Sequence, residues 1–197
     1  METKFYLCKC NHIQWSNVET MLLKFLSNER KNKILNYRQE KNRISCLYSG
    51  LLVRLALIRF YKCRNEDLKF EIGKYGKPFL SKKSKMNFNL SHSGDYIFLG
   101  ISEDIIGVDI EKIRHYDTAI VKRCFHPLEI DYIQKARNKD LAFCIIWTRK
   151  EAYFKCIGTG LSKDINLINT LNPSDEFTIK TNIHDGYAYS ICLSKKN

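Results

Sequence analysis

Two carboxylates stand two residues apart in Gly107-Val108-Asp109-Ile110-Glu111. The surrounding apolar residues make 105–111 read as a strand, and residues i and i+2 of a strand share a face. Asp109 and Glu111 therefore project together, while Ile106, Val108 and Ile110 take the other face. Two carboxylates about 6 Å apart repel by about 3 kcal/mol at an effective dielectric of about 20. A cation relieves that repulsion, and an all-oxygen pair suits magnesium or manganese. The same spacing also fits a solvated sheet face screened by Lys112.

A third carboxylate lies in Trp147-Thr-Arg-Lys150-Glu151-Ala-Tyr-Phe-Lys155. On a helix, residues 147, 151 and 155 stack on one face. Glu151 and Lys155 form either an ordinary i,i+4 ion pair or a ridge that sets a metal-binding carboxylate beside a phosphate-seeking ammonium. Asn89-Leu-Ser91-His92-Ser93-Gly94 carries a histidine among small polar residues. Read as a turn between strands, it offers free backbone N–H groups and an anion-binding nest. No G-x-S-x-G elbow accompanies it, so the Ser-His adjacency does not point to a hydrolase. In Phe125-His-Pro127-Leu-Glu129, the proline and glutamate read first as a helix start.

The elements that must carry these groups follow from periodicity. Strands are expected at 4–10, 68–72, 87–91, 96–101, 105–111, 175–183 and 187–193, and Asp185-Gly186 is a hairpin signal between the last two. Helical spacing covers 17–36, 40–62, 117–123, 127–136 and 139–157, the last stopped by Gly158. In 40–62 the apolar stripe runs through Ile44, Leu47, Tyr48, Leu51, Leu52, Leu55 and Ile58, with Arg43 and Arg54 off it. Gly73 to Pro78 is rich in turn residues. Each half holds strands and one long helix, 40–62 and then 139–157, which predicts two similar α+β halves meeting near residue 104.

The chain has 197 residues, 44% hydrophobic and 12% aromatic, enough to bury a core. Its net charge of +12 favours anionic partners, such as nucleic acid, an acidic lipid surface, a phosphorylated cofactor or an acidic protein. Eight cysteines occur without a C-x-x-C pair, so neither a disulfide framework nor a zinc site is expected. Cys8-x-Cys10-x-His12, on alternate residues of a short strand, makes a poor tetrahedral site. No signal peptide and no membrane-length apolar run is read, which places the chain in a reducing compartment, the cytoplasm.

Taken in order, Gly76-Lys77-Pro78, Asn89-Leu-Ser-His-Ser-Gly94, Gly107-Val-Asp-Ile-Glu111, Phe125-x-x-x-Glu129 and Trp147-Thr-x-Lys-Glu-Ala-x-x-Lys155-x-x-Gly-x-Gly-Leu161 resemble the 4′-phosphopantetheinyl transferase family, of the surfactin-synthetase-activating type. The resemblance implies transfer of phosphopantetheine from coenzyme A to a serine of an apo acyl or peptidyl carrier protein, releasing 3′,5′-ADP. It implies an α+β fold of two subdomains related by pseudo-twofold symmetry, each a small antiparallel sheet packed on a long helix. Residues 1–104 would form the coenzyme A half and 105–197 the half with the carboxylates and lysine. The active site would lie between them, in a monomer.

The same resemblance assigns roles. Asp109, Glu111 and Glu151 would hold magnesium, with manganese as the alternative. Lys155 would touch the pyrophosphate. His92 and Ser91 would meet the 3′-phosphate, and Gly76, Lys77 and Pro78 would border the adenine. Arg30, Lys33 and Arg43 would supply further phosphate contacts. The family often carries an arginine where this chain has Ser45. Glu151, Glu129 or a metal-bound water would accept the serine proton. The excess positive charge would steer both the polyanionic coenzyme A and an acidic carrier. Two other readings fit part of the pattern: a metal-dependent phosphodiesterase or nuclease, and a basic nucleic-acid-binding protein, although no zinc-finger spacing or RNP1-like motif occurs.

Overall fold

The computed structural model describes residues 3–11, 14–81, 86–161 and 164–195. Its order is β1 (Lys4–Lys9), α1 (Asn17–Leu22), α2 (Asn28–Leu35), α3 (Glu40–Tyr61), β2 (Phe70–Ile72), β3 (Pro78–Leu80), β4 (Asn87–Ser93), β5 (Tyr96–Ser102), β6 (Ile105–Lys112), α4 (Thr118–Cys124), α5 (Pro127–Lys135), α6 (Lys139–Ile157), β7 (Phe177–His184) and β8 (Tyr187–Ser194). The fold is α+β. One antiparallel sheet has the order β1-β5-β4, the other β6-β8-β7, and β2-β3 form a separate hairpin. Helix α3 packs on the first sheet, where Val53, Ala56 and Leu57 meet Phe88, Leu99 and Ile101. Helix α6 packs on the second, through Ala152, Cys156 and Cys192. No described helix is long and apolar enough to cross a membrane.

The two sheets meet through β5 and β6. Every residue of β5 is buried. Its Leu99 and Ile101 face α3, while Tyr96 and Phe98 pack against Ile106, Val108 and Ile110 of β6. The apolar face expected of β6 thus closes the joint between the sheets. The neighbouring edge strand β4 touches β6 without a backbone ladder, and side chains bridge the gap instead. Asn89 Oδ1 accepts from Val108 N at 2.7 Å, Ser91 Oγ donates to Asp109 Oδ1 at 2.7 Å, and Ser93 Oγ donates to Glu111 Oε2 at 3.1 Å. Alternate residues of one strand therefore read along the other, as the two-residue period of a strand dictates.

Four local expectations need correction. The helical stretch 17–36 is two helices, because Ser27 is extended and caps α2 by accepting from Arg30 N. Its hydroxyl offers the amides a partner that helix continuation would not. Strand β4 runs on through Ser93, and Gly94-Asp95 alone make the turn, so Ser91 and His92 sit in a paired strand rather than a nest. Gly94 takes a left-handed φ of +56° there, against the Tyr187 hydroxyl. Pro78 opens the short strand β3 instead of ending a turn.

In α3 the buried stripe drifts. Ile44 and Leu47 are buried, but Leu55 is exposed and Arg54 is not. Two different layers cause this. The start of α3 faces α2 and its later turns face the sheet. The Arg54 guanidinium is satisfied by Asn65 O and Oδ1 at 3.1 and 2.9 Å and lies over the Phe70 ring. His12 of the Cys8-Cys10-His12 pattern lies outside the described residues.

Candidate active site

Strand β6 delivers Asp109 and Glu111, and α6 delivers Glu151 and Lys155, to one region. Gly107 makes this approach possible. A Cβ on Gly107 would lie 2.0 Å from Ala152 O and 2.3 Å from Cys156 N, so the helix backbone rests directly on the strand. Helix α6 then places Lys155 Nζ 2.5 Å from Asp109 Oδ1 and 3.2 Å from Ser91 Oγ. Lys155 pairs with Asp109 of the strand, not with Glu151 one turn earlier on its own helix.

The carboxylates carry an electrostatic load. Burial raises the Asp109 pKa, against the pull of Lys155. Burial also raises Glu111, and the Asp109 charge adds to it. Glu151 is raised by burial and, despite Lys155, by Asp109 and Glu111. Asp109 Oδ2 is buried with no hydrogen-bond partner. Among the described residues, no three His, Cys, Asp or Glu donors are already gathered into a metal cage. Three mutually repelling oxygen donors with one orphaned atom nonetheless suit a hard divalent cation. Lys155 supplies part of the neutralising charge on Asp109.

Next to this group lies a positive region. Protein crowding lowers the His92 pKa, and the charges of Lys155, Arg30 and Lys33 lower it further. Arg30 donates through Nη2 to Cys46 O at 2.9 Å, while its Nε is buried without a partner. Arg30, Lys33, Gly76 and Pro78 line a cavity of about 620 Å³. Its walls are largely apolar, built by Phe70, Ile72, Phe88 and Leu90. Alternation along β4 puts Phe88, Leu90 and His92 on the side facing the cavity, and Ser91 and Ser93 on the side facing β6. An apolar cavity edged by cations suits a nucleotide with phosphates.

Three candidates from the sequence stand elsewhere. Arg43 Nε donates to Tyr37 O at 2.7 Å, and Arg43 does not line the cavity. Lys77 turns its ammonium inward, to Ile106 O at 3.0 Å and Lys155 O at 2.5 Å, so it ties the Gly76–Pro78 loop to the second half. Glu129 is fully buried. It pairs with Lys150 at 2.8 Å and accepts from His126 N, Thr170 N and Thr170 Oγ1. Lys150 in turn donates to Ile165 O and Ile168 O. This closed network pins the segment after α6 to α5, and it leaves Glu129 no free lone pair directed at the carboxylates. Trp147 stacks with Phe125 and Phe143, bracing α6 one turn before Glu151. Ser93 and Asn89 were not anticipated as site-positioning residues. Their signal was the alternation of polar residues at 87, 89, 91 and 93.

Comparison with known proteins gives the family. Residues 105–197 match the 4′-phosphopantetheinyl transferase superfamily, and residues 13–103 match the 4′-phosphopantetheinyl transferase N-terminal family. The chain is 33% identical over 181 residues to the 4′-phosphopantetheinyl transferase gsp of Aneurinibacillus migulanus, covering 85% of this chain and 76% of that protein. It is 29% identical over 160 residues to the 4′-phosphopantetheinyl transferase Sfp of Bacillus subtilis (strain 168), covering 80% and 67%. Likeness extends to the L-aminoadipate-semialdehyde dehydrogenase-phosphopantetheinyl transferase of Saccharomyces cerevisiae, at 28% over 159 residues, covering 75% and 58%. The chain belongs to the 4′-phosphopantetheinyl transferase family and is an enzyme of that class.

Proposed function

We propose that the chain moves 4′-phosphopantetheine from coenzyme A to a serine of an apo acyl or peptidyl carrier protein, using the cluster between its two halves. The observation that carries this reading is the gathering of Asp109, Glu111 and Glu151 around Lys155, while Arg30 and Lys33, whose charges reach His92, line a largely apolar cavity. The adenosine end of coenzyme A fits the apolar slot at Gly76 and Pro78. Arg30, Lys33 and His92 take its 3′-phosphate, and Ser91 helps by fixing Asp109. Lys155 takes the pyrophosphate.

Asp109, Glu111 and Glu151 would hold a magnesium or manganese ion, which supplies Lewis-acid neutralisation of the phosphate oxygens. The serine oxygen forms a bond to the phosphorus that carries pantetheine, and the bond from that phosphorus to the bridging oxygen breaks. The leaving group is 3′,5′-ADP. The serine proton goes to a carboxylate. Glu151 suits this better than Glu129, because it makes no hydrogen bond or ion pair among the described residues, whereas Glu129 is closed in by Lys150 and Thr170. Lys155 neutralises charge as the pyrophosphate leaves.

The net charge of +12 draws in both coenzyme A and an acidic carrier. We place the protein in the cytoplasm as a monomer, each copy holding residues from both halves around one site.

The test is intact-mass spectrometry of apo acyl and apo peptidyl carrier proteins incubated with the enzyme, coenzyme A and magnesium. The expected result is a gain of one phosphopantetheine that is lost on adding chelator. No gain on any carrier, with the protein folded, defeats the reading. Salt-sensitive retention or cleavage of nucleic acid would favour the nuclease or nucleic-acid reading instead.

A further inference from the structure

Two buried thiols outside the proposed chemistry meet behind the catalytic helix. Cys192 lies in the middle of β8, directly opposite Gly107 in the antiparallel ladder. Directly opposed residues present the same face of a sheet. That face is covered by the last turn of α6. A Cβ on Gly107 would fall 2.3 Å from the Cys156 nitrogen and 2.9 Å from its Cα. The space that Gly107 leaves bare is thus where Cys156 and Cys192 face each other. With Ala152 they form one small cluster, Cys156 2% and Cys192 0% exposed. The Cys156 thiol donates to Ile105 O at 3.2 Å, and the Cys192 side chain is its neighbour in the cluster. Lys77, anchored on Ile106 O and Lys155 O, is the cation whose charge acts on both.

We propose that Cys156 and Cys192 are an oxidant-responsive dithiol that closes to an intramolecular disulfide and thereby lowers transfer activity. The oxidant class is a peroxide. The Cys156 thiolate attacks one peroxide oxygen, forming a sulfenic acid and breaking the O–O bond. Cys192 sulfur then displaces the hydroxyl, so two thiols and one hydrogen peroxide give a disulfide and two waters. The Lys77 ammonium, fixed beside the pair by Ile106 O and Lys155 O, favours the thiolate that the attack requires. Entry is at the helix end. Ile157 is 38% exposed and Gly158 turns the chain out of the helix in a left-handed conformation. Helix ends are where local opening is easiest.

The effect on activity rests on the catalytic reading of α6 given above. A sulfur–sulfur bond of about 2 Å replaces a non-bonded contact and draws the last turn of α6 toward β8. Lys155 immediately precedes Cys156, and its carbonyl holds Lys77 of the nucleotide loop. Both contacts move with that turn.

The experiment treats the reduced full chain with hydrogen peroxide, then alkylates free thiols and maps the peptides, with carrier transfer measured before treatment, after it, and after dithiothreitol. The expected result is a Cys156–Cys192 cross-link, a several-fold loss of transfer and its recovery on reduction. Cys192→Ala and, independently, Cys156→Ala keep the reduced-state activity and lose the peroxide response. Free alkylation of both thiols after treatment overturns the proposal. So does a mapped cross-link with unchanged activity, or inhibition that persists in both variants. An inactive reduced enzyme would sink the transferase reading alone, because the peptide map judges the dithiol without reference to activity.

Discussion

Ser91 Oγ donates to Asp109 Oδ1 at 2.7 Å, and through that bond the first sheet aims a carboxylate of the second. The same Asp109 oxygen receives the Lys155 ammonium from α6. One atom therefore joins β4, β6 and α6. The other oxygen of Asp109 is left without a partner. The contact is a consequence of packing two edge strands side by side, with side chains replacing the missing ladder.

Asp109→Ala and Glu151→Ala should each lower kcat/KM for carrier modification by about 1,000-fold or more. Thermal unfolding should change little for Glu151→Ala, which removes a carboxylate unpaired among the described residues, whereas Asp109→Ala strips Lys155 and Ser91 of their partner and should cost stability. Activity within tenfold of wild type in either variant would remove its residue from the metal and phosphate assignment.

Gly107→Ala should damage both stability and transfer. The added methyl would meet backbone atoms of Ala152 and Cys156, which cannot swing aside as a side chain can. Helix α6 must then lift from β6, carrying Glu151 and Lys155 away from Asp109. A urea midpoint and kcat both equal to wild type would refute the direct contact.

Lys150→Ala should destabilise the fold by about 3–5 kcal/mol, since it strands Glu129 as a buried, unpaired charge. Glu129→Leu combined with Lys150→Met should be less destabilised than Lys150→Ala, because no orphan charge remains. Equilibrium unfolding in urea compares them. If Glu129 were instead the base, the double variant would stay folded yet lose transfer completely.

Desolvation by the surrounding protein, with the charges of Lys155, Arg30 and Lys33, lowers the His92 pKa from its ordinary value and favours the neutral ring in the free enzyme. A bound phosphate favours the charged ring and raises that value. Binding of coenzyme A should therefore take up a proton. The affinity should tighten as the pH falls through the bound-state pKa and level off below the free-state one. Calorimetry in two buffers of different protonation enthalpy near pH 6.5 reads this directly. His92→Ala should abolish the buffer dependence and raise KM for coenzyme A more than it lowers kcat. Equal heats in both buffers for the wild type would exclude His92 from the phosphate site.

Much of this was legible from residue order. The two-residue spacing of Asp109 and Glu111 dictated a shared face, and the β6 strand keeps it. The apolar partners Ile106, Val108 and Ile110 announced a buried opposite face. Gly158 ended α6 where expected. These features depend on local sterics and periodicity, which act over a few residues and are written into the chain.

Other features required the assembled fold. Spacing paired Lys155 with Glu151, yet the strand beneath the helix supplied Asp109 as the nearer anion. Glu129 carried the same carboxylate as Glu151, and only burial against Lys150 and Thr170 separated their environments. Arg54 lay off the stripe of α3 but is buried by a layer the stripe could not foresee. Lys77 was expected to border the adenine, and its ammonium instead anchors its loop to β6 and α6. The sequence by itself determined which groups could do chemistry and which faces of their elements they occupy. Tertiary structure alone decided which of them meet, because charges and hydrogen bonds answer to distance in space and not to distance along the chain.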